Sequence, residues 1–129
     1  MTARETLRAA SRRARNRGSE KGTRASAALQ SLYRSEPVDA AWAAGMETRL
    51  QKLAQDSASQ PGGVTPTSLD IDCRRTTCKI DATHPDRVQG DDWAMMYMAS
   101  VGSNFQRAFT RVVRNPDGTS SVIIYAVAK

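Results

Sequence analysis

The chain has 129 residues, of which 40% are hydrophobic and only 5% aromatic, with a formal charge of +6 and two cysteines. That length suits one domain with a modest core, and no stretch approaches the roughly 20 apolar residues of a membrane span. No apolar export-signal core is present either: Ser11-Arg12-Arg13 is followed by none, which excludes a twin-arginine signal.

The charge is divided unevenly. Residues 1–34 hold nine Lys and Arg against Glu5 and Glu20, whereas residues 35–129 hold ten basic and eleven acidic residues. The high isoelectric point therefore belongs to an N-terminal arm, and the rest is nearly neutral. Residues 1–24 are rich in Arg, Ala, Ser, Gly and Thr and have too little apolar surface to offset ordering entropy, which predicts a disordered or marginally helical arm. Arg8, Arg12, Arg13, Arg15 and Arg17 could bind nucleic acid through phosphates. They could equally meet an anionic membrane surface, or form a solubilising linker downstream of a lost anchor or signal.

Residues 25–129 are expected to form a single α+β domain. Ala25 to Arg34 sets Leu29, Leu32 and Tyr33 on one helical face, and Glu36-Pro37 interrupts it. Asp39 caps a stronger helix reaching about Ala54 or Gln55, with Trp42, Met46, Leu50 and Leu53 on its apolar side. Asp56 to Pro66 reads as a loop.

The stretch Ser68–His84 carries the clearest pattern. Leu69, Ile71 and Cys73 alternate with Asp70, Asp72 and Arg74, and Cys78, Ile80 and Ala82 alternate with Lys79, Asp81 and Thr83. Folding Cys73 opposite Cys78 sets Ile71 against Ile80, Leu69 against Ala82 and Asp72 against Lys79, with one poor pair, Asp70 against Asp81. Opposed Cβ atoms at about 4.5–5.5 Å suit a disulfide, hence an oxidising compartment; the alternative is two free thiols acting as small buried hydrophobes. Asp70, Asp72 and Asp81 fall on the face expected to be wet.

After Pro85, a loop through Gly90 is predicted to lead to a helix capped by Asp91 or Asp92, with Trp93, Met96, Tyr97, Val101, Phe105 and Phe109 as its stripe. Thr110–Arg114 and Ser120–Ala128 read as third and fourth strands around the turn Asn115-Pro116-Asp117-Gly118. The last strand is apolar on both faces, which places it centrally. The main elements run α-β-β-α-β-β: an antiparallel four-stranded sheet with helices on at least one face and one hairpin disulfide.

Little in the chain points to catalysis. Cys73-x4-Cys78 lacks the Cys-x-x-Cys spacing of thiol oxidoreductases, which favours a structural bridge. Zinc would need two more ligands where only His84 is on offer, and His84 before Pro85 reads as a surface residue. Ser68, Thr83 and Ser100 lack a nucleophile motif, and Asp70, Asp72 and Asp81 read as solvating charges rather than paired acids. No cofactor and no metal are expected. Arg74-Arg75-Thr76-Thr77 at the hairpin tip is the better binding candidate, since two guanidinium groups on a pinned loop suit carboxylate or phosphate; the competing reading is a plain solvated tip.

The hairpin motif, with Glu36-Pro37-Val38-Asp39-Ala40-Ala41-Trp42 and Glu47 upstream, resembles a group of small exported Gram-negative bacterial proteins. Those share an acidic residue and Trp-Ala on a helix, followed by Glu-Cys-Arg-x-Thr-x-Cys-Arg and an apolar strand. Here Asp72 stands in place of Glu and Lys79 in place of Arg, and the likeness covers roughly residues 36–83. The resemblance implies an extracytoplasmic address and a disulfide, and it implies no activity. The resulting expectation is a non-catalytic envelope or periplasmic module that binds another protein by the hairpin tip or the sheet edge, as an inhibitor, immunity protein or assembly subunit. The alternative is a nucleic-acid-binding protein that uses the arginine-rich arm.

Overall fold

In a computed structural model, residues 24–129 are described. The predicted arm, including Arg8, Arg12, Arg13, Arg15 and Arg17, lies almost wholly outside them. Helix α1 occupies residues 24–35. After Pro37, Asp39 takes an extended conformation and its carboxylate accepts from the Trp42 N–H at 3.2 Å, which starts helix α2, Ala40–Ala58. Helix α2 runs one turn beyond its expected end, because Ser57 is buried under it and Ser59 closes it by bonding back to Gln55. Gly63 then passes so close to the helix end that an added Cβ would lie 2.3 Å from the Ala58 carbonyl oxygen.

Strands β1 (Ser68–Cys73) and β2 (Thr77–His84) pair in the expected register, Cys73 opposite Cys78 and Asp70 opposite Asp81 included. The two cysteines form a disulfide. Helix α3 spans Arg87–Val101 and is capped by Asp86, whose side chain accepts from the Gln89 N–H at 2.9 Å, not by Asp91 or Asp92. Asp-x-x-Gln is a capping pattern. Gly90, which suggested a loop, is instead buried inside the helix against Ser120 and Val122.

The predicted helical stripe also runs too far. Gly102–Asn104 form a 3-10 turn, and Phe105 and Phe109 belong to strand β3, Phe105–Arg114. Their i, i+4 spacing after Val101 mimics a helix, but the Asn104 side chain donates to the Val101 carbonyl and ends it. Strand β4, Ser120–Ala128, follows the expected turn, with Gly118 at φ +89°.

The sheet order is β1-β2-β4-β3, antiparallel throughout, so the apolar last strand is indeed central. Both helices read upstream of the hairpin are present and part company at Pro37, so with α1 counted the order is α-α-β-β-α-β-β rather than α-β-β-α-β-β. Helices α2 and α3 cover one face, burying Leu50, Trp93, Tyr97 and Val101 against Ile80, Val122 and Ile124. Helix α1 lies on the other face, where Leu29 and Tyr33 pack on Tyr125 and Val127. The face expected to be wet is therefore half covered, and Asp72 lies beneath Tyr33. Among the described residues, no helix is long and apolar enough to cross a membrane.

Candidate functional site at the hairpin tip

The four tip residues are held from both sides. Arg74 and Thr77 close the turn through the Arg74 N–H and the Thr77 carbonyl at 2.7 Å, directly inside the disulfide. The Thr76 carbonyl accepts from the Ala128 N–H at 2.8 Å, and the Arg74 carbonyl accepts from the Asp39 N–H at 3.3 Å. The tip is thus tied to β4 and to the start of α2.

Its outward N–H groups converge on one carboxylate. Glu36 Oε1 accepts from the Arg75, Thr76 and Thr77 N–H groups at 3.3, 2.9 and 3.0 Å, and from the Thr77 hydroxyl at 2.8 Å. Glu36 Oε2 accepts from the Thr76 hydroxyl. A tight turn leaves such amides without partners, and an anion satisfies them. Burial alone would raise the Glu36 carboxyl, but the hydrogen bonds from Thr76 and Thr77 outweigh it and hold the group at about 2, below its usual 4.5.

Arg74 folds back rather than outward. Its guanidinium stacks 4.7 Å from the Tyr33 ring centroid, donates to the Tyr33 hydroxyl at 3.4 Å and pairs with Asp72 at 3.3 Å. The Tyr33 hydroxyl itself donates to Asp72, and its ring meets Tyr125 edge-on at 5.7 Å. Burial and the hydrogen bond to Asp72 push the Tyr33 hydroxyl above its ordinary pKa.

The four predicted partner-binding residues therefore divide. Thr76 and Thr77 serve Glu36, Arg74 serves α1, and Arg75 alone has an exposed side chain. From the sequence, Glu36 reads as the residue that breaks the first helix before Pro37 and as part of the resemblance, and its role as acceptor for the tip is missed. The available signal was an acid beside Pro37 and a Thr-Thr pair at a tip with no local acceptor. Close to Glu36 in sequence, Leu32 is 38% and Val38 54% exposed.

His84 is not at the surface: it is fully buried against Trp93, with ring centroids 5.2 Å apart. Neither ring nitrogen has a hydrogen-bond partner among the described residues, nor have Trp93 Nε1 and Ser120 Oγ beside it. Burial lowers the His84 pKa, and Asp86 opposes that only in part, so the ring is neutral. Among the described residues, no three His, Cys, Asp or Glu side chains are grouped to hold a metal. An open hollow on α2, lined by Glu47, Thr48, Gln51, Lys52 and Gln55, is far in sequence from His84 and contains no nucleophile–base pair. Compared with known protein families, curated proteins and solved structures, the chain matches none of them.

Proposed function

We propose that the protein is a non-catalytic, extracytoplasmic binding module of the bacterial envelope, an inhibitor, immunity protein or assembly subunit, whose contact surface is the hairpin tip. The observation that carries this reading is a tip fixed by a disulfide and a buried carboxylate, with the Arg75 side chain left exposed on it. A loop already held in one conformation loses little entropy on docking, and arginine is among the commonest interface anchors. The bridge supports an oxidising compartment.

A photo-crosslinking residue in place of Arg75, expressed in the native host, tests the reading. The expected result is one dominant envelope-protein adduct, absent when the residue replaces Gln51 on α2. Adducts of equal yield from both positions, or thiols open to alkylation in freshly denatured native protein, would overturn it.

A further inference from the structure

At the side of the sheet away from the hairpin, strand β3 is ten residues long and terminal in the sheet order, so among the described residues no strand pairs along its outer side. The direction of its free groups follows from the ladder. The Ala128 N–H bonds toward the hairpin, to the Thr76 carbonyl, and the Lys129 N–H bonds to the Asn104 carbonyl, just ahead of β3. Alternation along an antiparallel strand then turns Val127, Tyr125 and Ile123 toward β3, opposite Arg107, Phe109 and Arg111. Ala108, Thr110 and Val112 are left with N–H and carbonyl groups aimed outward.

The side chains of β3 are sorted by face. Arg107 and Arg111 share one face, about 13 Å apart at strand rise. Their cross-strand neighbours are Val127 and Ile123, and neither arginine has an ion pair among the described residues. Ala108 and Val112, both half-buried, lie on the opposite face, and β3 contains no acidic residue. A protein whose residues 35–129 are nearly neutral thus concentrates unpaired positive charge on an open strand.

We infer that β3 accepts an extended acidic segment of another protein as a fifth strand, its acidic side chains over Arg107 and Arg111 and its apolar ones beside Ala108 and Val112. Main-chain hydrogen bonds provide the docking and the alternate side chains provide the selection. The arginines also reject the competitors. A second copy pairing β3 to β3 would set arginine near arginine, and the chain's own N-terminal segment carries the same sign of charge. This surface is separate from the Arg75 tip, so each proposal can fail without the other.

The probe is a capped peptide alternating Glu and Val, long enough to span β3, with binding read by fluorescence anisotropy. Replacing Glu by Lys in the peptide should abolish binding, and the paired variant Arg107→Glu/Arg111→Glu should invert that preference. N-methylating one alternate set of peptide amides should remove binding while methylating the other set leaves it, the signature of an added strand. Thr110→Pro removes an outward N–H without touching the β3–β4 ladder, and should weaken binding about tenfold at an unchanged melting temperature. Arg75→Ala should leave it untouched. Binding indifferent to which amides are methylated would reduce the effect to charge attraction and overturn the inference. So would a single-stranded oligonucleotide that displaces the peptide and binds through the same arginines.

Discussion

The two faces of the sheet are held by different physics. Under α2 and α3 the contacts are mainly apolar: Trp93 stacks on Tyr97 at 4.6 Å, and Ile80, Val122 and Ile124 are fully buried. The Tyr97 hydroxyl donates to the Leu50 carbonyl at 2.9 Å, and burial raises its pKa. Under α1 the apolar patch is small, Leu29 and Tyr33 on Tyr125 and Val127, and beside it lie the Asp72–Arg74 ion pair and the Glu36 carboxylate held by the tip amides. Apolar burial specifies that a face is covered, whereas directional bonds to one carboxylate specify where the chain crosses it. The first face supplies most of the stability, and the second fixes the hairpin tip relative to two helices.

Substitutions separate these roles. The largest loss is expected from Trp93→Ala, about 3–5 kcal/mol by chemical denaturation, because it opens a cavity under α3. Glu36→Ala strands the tip amides that Glu36 accepts from and should lower stability by about 1–3 kcal/mol. The native Glu36 contribution is full above pH 4.5 and fades as pH falls from there toward about 2, since the folded carboxyl titrates below its unfolded counterpart. A Glu36→Gln variant that keeps the wild-type acid limb would remove the carboxylate from this account.

Reduction of the Cys73–Cys78 bridge to two thiols releases only a short closed loop and should lower stability by about 2 kcal/mol. Because the bridge closes the same tip that binds Glu36, its loss should act less than additively with Glu36→Ala in a double-mutant cycle. Unchanged melting with and without reductant would count against that coupling. His84 gives the apolar face its own pH signature. Its folded pKa is depressed, so its stabilising effect is complete above the unfolded value near 6.5 and is lost as pH drops below it. His84→Leu should flatten the stability profile in that window, measured by melting across pH. The smallest effect belongs to Arg75→Ala, less than about 0.5 kcal/mol, since that side chain is exposed.

What the sequence disclosed follows the same division. The hairpin register, the central last strand and the Asp39 cap arise from local alternation and capping, and all three were legible in advance. Period-two runs on either side of paired cysteines leave one sensible register. The start of α3 was misplaced because Gly90 discourages a helix locally and is tolerated by packing, while Asp86 carried the cap. Phe105 and Phe109 kept helical spacing by coincidence of count after a 3-10 turn. The bonding of the tip to Glu36 was illegible for another reason: Glu36 and Thr76 are forty residues apart, and no periodicity spans that distance.

The position of β4 bears on how the molecule is made. It is synthesised after the other three strands, yet it lies between β2 and β3 and contributes to both apolar clusters. Until it emerges, β2 and β3 have no shared neighbour and α3 has no complete sheet to lie on. The hairpin can oxidise early, since its two cysteines are five residues apart, but the sheet closes last and all at once. Nascent chains stalled before Ser120 should therefore be protease-sensitive throughout, with at most the β1–β2 loop already cross-linked.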